Sequence, residues 1–102
     1  MLELRPACEH CAAELSPASA DARICSFECT FCATCVSDVL LDVCPNCGGG
    51  FERRPVRPRR NLRGDNDLAH HPASTTVRHR PVDVARHRAF AAGVATIAPK
   101  DR

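Results

Sequence analysis

Short apolar stretches alternate with cysteine pairs through the first half of the chain. Residues 8 to 23 lack a regular pattern and are predicted to form loops. The stretch from Ile24 to Phe31 predicts a short hairpin. Val36, Val39 and Leu40 share one face at helical spacing, which predicts a single short helix near 35 to 41 before the turn "CPNCGG". Each of these elements is too short to be stable alone.

The second half begins after three glycines at "GGGFERRPVRPRRNLRGDND". Arginine, proline and asparagine dominate this segment, a composition that favours a solvated, extended chain. From 82 to 98 the chain is rich in alanine and has apolar or aromatic side chains at steps of three and four: His87, Phe90, Val94 and Ile97. The sequence therefore predicts three regions: a cysteine domain over 1–51, a disordered Arg/Pro-rich linker over 52–81, and a flexible tail with a short helix over 82–102.

The cysteine domain contains few large apolar residues, so its core cannot offset the entropy of ordering about 50 residues. A covalent or metal staple is expected. The amino terminus "MLELRPACEHC" lacks the unbroken apolar run of a signal peptide, and no stretch approaches transmembrane length. We therefore expect a cytoplasmic protein with no membrane partner, whose reduced thiols bind metal rather than form disulfides.

Eight cysteines form four pairs, and three of these pairs have two intervening residues: "CEHC", "CATC" and "CPNC". A tight turn at this spacing presents two thiolates on one side, and four thiolates complete a tetrahedral Zn²⁺ site. Four pairs within forty residues therefore predict two Zn²⁺ ions. All-thiolate sites leave no open coordination position, so we expect structural zinc and no enzyme activity.

The order of the pairs, with "CTFCATC" in the middle and "CPNC" at the end, resembles the RING finger. The resemblance implies a small zinc-stabilised α+β fold with cross-braced sites, followed here by a mostly disordered basic tail. The first and third pairs would then share one ion, and the second and fourth pairs the other. The first set is Cys8, Cys11, Cys32 and Cys35, and the second is Cys25, Cys29, Cys44 and Cys47.

A rival pairing remains open, in which Cys25, Cys29, Cys32 and Cys35 share one ion. The opening "MLELRPACE", with "DARICSFECTFC" and "CPNCGG", is also similar to a family of short bacterial proteins of unknown function with RING-like cysteines. The chain departs from RING ubiquitin ligases, which usually have a large apolar residue where this chain has Glu9. It also lacks their aromatic residue before the last pair, and ligase activity is not expected.

Charge is divided unevenly, with a balance of −5 over residues 1 to 51 and +7 over residues 52 to 102. The basic tail could therefore lie against the acidic first half or neutralise nucleic-acid phosphates. The clustered candidates for phosphate contacts are Arg53, Arg54, Arg57, Arg59, Arg60 and Arg63. We expect a structural zinc module that binds an unidentified protein, with nucleic-acid binding through this tail as the alternative.

Overall fold

A computed structural model describes all residues from Met1 to Arg102. Three short strands form one antiparallel sheet in the order β2-β1-β3: β1 is Ala22–Ile24, β2 is Thr30–Cys32 and β3 is Glu52–Arg53. A short helix, α1, occupies Ala33–Cys35 and continues as a π-helical segment over Val36–Leu40. A second helix, α2, spans Val84–Ala92, and a 3₁₀ turn follows at Pro99–Asp101. The predicted α+β class is confirmed, whereas β3 is an addition to the predicted hairpin.

The core lies between the sheet and the segment that continues α1. Phe31 on β2 is 1 % exposed and Leu40 is fully buried. The ring of Phe51, just before β3, meets the ring of Phe31 edge to face, with centroids 5.5 Å apart. Five buried cysteines belong to the same cluster: Cys8, Cys25, Cys29, Cys35 and Cys44. The core is therefore assembled around the thiols, as expected for a chain with few large apolar side chains.

The π-helical segment ends where Leu41 and Asp42 both adopt left-handed backbone conformations, with φ of 56° and 57°. Such a conformation costs a residue other than glycine roughly 1–2 kcal/mol. The Asp42 carboxylate accepts a hydrogen bond of 3.0 Å from the backbone N–H of Phe51, which helps to hold this turn. The turn directs the chain into the buried pair Val43 and Cys44.

Residues 52–102, hereafter the tail, differ from the sequence prediction of disorder, because they have defined contacts with the first half. The backbone N–H of Ser74 donates to the carbonyl of Leu4 at 3.0 Å, and that of Arg80 donates to the carbonyl of Glu9 at 2.7 Å. At the end of the chain, the Arg102 guanidinium donates to the carbonyl of Asp42 at 2.8 Å. These bonds use polar backbone and arginine groups, so a composition poor in apolar residues does not reveal them.

Helix α2 packs on the first half through only part of the predicted stripe. Asp83 caps it by accepting from the backbone N–H of Arg86. His87 and Ala91 are buried, whereas Phe90 and Ile97 are 47 % and 39 % exposed. The His87 Nε2 bonds to the Leu40 carbonyl at 2.9 Å. Docking therefore depends on His87 of the predicted stripe and on Ala91 outside it, whereas Phe90 and Ile97 of the stripe remain partly exposed.

Candidate metal centres

The first group of thiols consists of Cys8, Cys11, Cys32 and Cys35, whose sulfur atoms all lie within 4.8 Å of one another. Cys8 and Cys11 lie in a turn closed by the hydrogen bond from the Ala12 N–H to the Cys8 carbonyl. Cys32 ends β2, and Cys35 lies one helical turn later in α1. The hairpin and helix thus carry one half of the site to the loop that carries the other.

The spacing of these sulfurs fits a tetrahedral ion. A Zn–S bond of about 2.3 Å places sulfurs at the corners of a tetrahedron about 3.8 Å apart. The Sγ atoms of Cys11 and Cys32 are separated by 3.8 Å. Four sulfur donors in this arrangement suit Zn²⁺ or an iron–sulfur centre, and not the hard cations that prefer oxygen.

The second group brings together the sulfurs of Cys25, Cys44 and Cys47, again within 4.8 Å of one another. Cys29 lies beside this group but is not within that distance of all three sulfurs. Its sulfur accepts a hydrogen bond of 3.4 Å from the Asn46 side chain, in the turn between Cys44 and Cys47. The structure therefore assembles three of the four predicted ligands of this site and places the fourth next to them.

Backbone N–H groups point at several of these sulfurs. The Phe27 N–H donates to Cys25 Sγ at 3.3 Å, and the Gly49 N–H donates to Cys47 Sγ at 3.4 Å. Gly48, between Cys47 and Gly49, has a φ of +78°, a backbone conformation that would be strained for a residue with a side chain. Such N–H groups spread the negative charge of a thiolate, so these turns suit charged sulfur ligands.

Burial raises the pKa of Cys35 and of Cys44, and neighbouring sulfurs raise them further. Burial also raises the pKa of Cys29 and Cys32, whereas a backbone hydrogen bond from Ala13 lowers that of Cys11. Most of these thiols would therefore keep their protons near neutral pH without a cation. A bound metal ion displaces those protons and supplies the charge that stabilises thiolates in such a place.

The stretch "ICSFECTFCATC" is thus divided between the two groups. Cys25 lies with Cys44 and Cys47, whereas Cys32 and Cys35 lie with the first cysteine pair. This is the division that the RING resemblance implies, and it differs from the rival pairing. Occupancy of both groups by zinc stays a prediction.

A family of proteins described as of unknown function, DUF1272, matches residues 1–57, which contain all eight cysteines. The chain belongs to the DUF1272 family. It is also 51 % identical over 89 residues to the uncharacterized protein R02474 of Rhizobium meliloti (strain 1021), an alignment that covers 87 % of this chain and 99 % of the relative. No solved structure matches the chain.

The family match ends at residue 57, but an alignment of 89 residues in a chain of 102 must extend well into the tail. The tail is therefore shared with a relative, in agreement with its contacts in the fold. No helix is both long and apolar enough to cross a membrane.

Glu9, the residue after the first cysteine, has a structural role that the sequence did not reveal. It is 6 % exposed and accepts hydrogen bonds from the buried backbone N–H of Thr30 and from the Arg5 guanidinium, the latter at 3.0 Å. A large apolar residue, as in RING ligases, could not accept these bonds. Glu9 thus joins the first cysteine turn to β2.

Tail residues cover the first cysteine turn. The His10 carbonyl lies 3.1 Å from Nε2 of His79, and Nδ1 of His10 accepts a hydrogen bond of 2.9 Å from the Val82 N–H. Val82 also lines a small cleft with Phe31 and with Pro45 of "CPNC". The face between the two metal groups is therefore occupied by the protein's own tail.

The predicted phosphate-contact arginines fall into two sets. Arg54 is only 2 % exposed and donates to the carbonyls of Arg5 and Ser16 at 2.8 and 3.0 Å, while Arg57 donates to those of Leu2 and His71, each at 2.7 Å. These contacts remove Arg54 and Arg57 from the predicted set. The remaining members are exposed: Arg53, Arg59, Arg60 and Arg63.

Proposed function

We propose that the chain is a structural module that holds two Zn²⁺ ions and binds a protein partner. The observation that supports it is the presence of two groups of cysteine sulfurs inside one small core. Structural zinc sites have closed sets of thiolate ligands, whereas catalytic sites keep a position open for water or substrate. The proposed sites are Cys8, Cys11, Cys32 and Cys35 for one ion, and Cys25, Cys29, Cys44 and Cys47 for the other.

In the second site, binding of the ion would require the Cys29 sulfur to complete the group of Cys25, Cys44 and Cys47. Each structural zinc contributes about 10 to 16 kcal/mol of binding free energy in small zinc proteins. That free energy would stabilise a core too small to fold alone. Native mass spectrometry of freshly purified protein should find two zinc ions, and a strong chelator should unfold it. A metal-free protein with four disulfides and the same circular dichroism spectrum would refute the proposal.

A protein partner is proposed because four-thiolate sites would leave no coordination position open for a substrate and because exposed apolar side chains lie beside them. Phe27, in the turn from Cys25 to Cys29, is 71 % exposed, and Leu41 is 41 % exposed. The bond from the Phe27 backbone N–H to Cys25 Sγ would fix the backbone that presents this aromatic side chain once zinc binds. The face between the sites is covered by the tail, so binding through that face would require the tail to move.

Affinity capture from the native cell tests this proposal. Partner proteins should be retained after nuclease treatment and should be lost with Phe27→Ser. Val77→Ser is a matched control, because Val77 is 59 % exposed and lies outside the cysteine domain. Capture that disappears with nuclease would contradict a protein partner.

Nucleic-acid binding is the alternative, supported by the exposed arginines that remain after Arg54 and Arg57 are removed. If three or four of them contact phosphates, the slope of log affinity against log salt should be roughly −3 to −4 on a duplex. A salt titration of the full-length protein on labelled DNA and RNA measures this slope. Absence of binding at low salt would eliminate the alternative.

A further inference from the structure

Residues 58–68 form a closed loop, hereafter the arginine loop. The Leu68 N–H donates to the Pro58 carbonyl at 2.9 Å, so the ends of the loop meet. Within it, the side chain of Asn61 donates to Asp65 Oδ1 at 2.7 Å and accepts from the Asp65 N–H at 3.1 Å. Compact surface loops of this kind are frequently functional. Their internal bonds reduce the entropy lost when a partner binds.

The three guanidinium groups of this loop are exposed and carry no internal partner. The arginines whose side chains donate hydrogen bonds within the protein are Arg5, Arg23, Arg54, Arg57, Arg78 and Arg102. Arg59, Arg60 and Arg63 are outside that set. The acidic residues of the loop are already engaged, since Asp65 bonds to Asn61 and Asp67 is buried beside His70. The loop therefore has a net charge of +1, and its three guanidinium groups bond to neither aspartate.

An apolar groove of about 450 Å³ lies beside the arginine loop. Its lining includes Met1, Leu2, Leu4, Pro55, Val56 and Pro58. The loop starts from this groove at Pro58 and returns to it at Asn66, which also lines it. Arg57 fixes the walls, because its guanidinium bonds to the carbonyl of Leu2 on one side and to that of His71 on the other. The groove and the charged loop thus form one continuous, preorganised surface.

We propose that this surface binds an acidic peptide segment of a partner protein, with an aliphatic side chain in the groove and carboxylates against the arginine loop. The proposal rests on the protein-binding function and adds a second contact surface to the apolar side chains beside the metal groups, together with the chemistry of the segment that it binds. An aliphatic groove matches an aliphatic side chain, while the free guanidinium groups match carboxylates. Nucleic acid fits less well, since nonspecific strand binding combines basic grooves with several stacking aromatic side chains, and the one aromatic ring that lines this groove is the imidazole of His71.

Selection from a displayed library of random dodecapeptides on the full-length, zinc-loaded protein tests this assignment. Selected peptides should be enriched in Asp and Glu together with Leu, Ile or Met. Binding of the best synthetic peptide should weaken about tenfold when Arg59, Arg60 and Arg63 are replaced by Gln, because several rim charges contribute modestly and together. Val56→Asp, in the groove, should weaken it at least as much.

Matched control variants carry the same types of substitution, Arg→Gln and Val→Asp, at exposed positions outside the arginine loop and the groove. Replacing the exposed Arg53, Arg86 and Arg88 by Gln removes the same charge, and Val77→Asp places a carboxylate at a similarly exposed position. Both controls should bind the peptide within about twofold of the unchanged protein. All variants should retain two metal ions by native mass spectrometry, which separates loss of the surface from loss of the fold.

Three results would overturn the assignment: no acidic and aliphatic enrichment, peptides insensitive to both groove and loop variants, or a DNA duplex that binds with the same arginine dependence while no peptide does. Self-association that is lost with Val56→Asp would identify a second copy as the occupant and would also overturn the assignment.

Failure of this surface is distinguishable from failure of the proposed function. If a partner is still captured after nuclease treatment and its binding is unchanged by these variants, the protein-binding function stands and only this surface is wrong. Absence of zinc would instead contradict the proposed structural module.

Discussion

Arg54→Met should destabilise the protein more than any other change to a single arginine. Arg54 is 2 % exposed, and its guanidinium donates to backbone carbonyls of Arg5 and Ser16, with a longer contact of 3.4 Å to Leu15. These carbonyls lie in the amino-terminal loop, 38 to 49 residues away in sequence. The side chain thus fixes that loop to the end of β3.

The expected loss follows from these bonds. A hydrogen bond to a charged donor contributes about 1.5–3 kcal/mol, so the two shorter bonds give roughly 3–6 kcal/mol. Burial of the charge opposes this gain, since burial lowers the pKa of Arg54, and methionine recovers some apolar packing. We therefore expect a net loss of about 2–4 kcal/mol, equivalent to a lowering of Tm by roughly 10 to 25 °C for a domain of this size.

Urea unfolding at a fixed free zinc concentration measures this loss, because metal that binds only the folded state shifts apparent stability. Arg53→Met is the matched control, since Arg53 is adjacent and exposed. It should change the free energy of unfolding by less than about 0.5 kcal/mol. Equal stability of the two variants would refute the role assigned to the buried guanidinium.

Three further predictions concern the tail, the first cysteine turn and pH. His87→Leu should release α2 from the Leu40 carbonyl, so limited proteolysis near 76–86 should be faster than in an Arg88→Leu control, while both metal ions stay bound. Unchanged cleavage would contradict the role of the His87 hydrogen bond in holding α2. Glu9→Leu should cost roughly 2–4 kcal/mol in the same urea assay, because the buried Thr30 N–H loses its acceptor, and full stability would contradict this. Zinc loading should release protons, and zinc affinity should fall as pH falls, because protonated thiols do not ligate the ion. Protons compete with zinc over roughly pH 5 to 8, so an affinity independent of pH in this range would exclude thiolate ligands.

Local spacing made the cysteine turns and the hairpin predictable. A CxxC pair forms within a single turn, so the residues that define it are neighbours in sequence. The helix near Val36 and Leu40 was likewise indicated by its apolar face, although its π-helical hydrogen bonding was not. The division of cysteines into two groups required the RING resemblance, since spacing alone left the rival pairing open.

Contacts between distant residues account for what the sequence did not predict. The bonds of Arg54 and His87 join residues 49 and 47 positions from their carbonyl partners, and no local pattern marks them. Composition averaged over the Arg/Pro-rich segment predicts a solvated linker, because it cannot distinguish a buried guanidinium from an exposed one. The predicted stripe of α2 was only partly right, because His87 is buried while Phe90, the more apolar member of the stripe, is 47 % exposed.

Cadmium NMR of the metal-substituted protein tests the central claim, that the cysteines of "ICSFECTFCATC" belong to two separate metal sites. The unchanged protein should give two cadmium resonances in the range of all-thiolate coordination. Cys8→Ser and Cys35→Ser should perturb the same resonance, and Cys25→Ser and Cys47→Ser should perturb the other. If Cys25→Ser and Cys35→Ser instead perturb one common resonance, the two-site division is wrong.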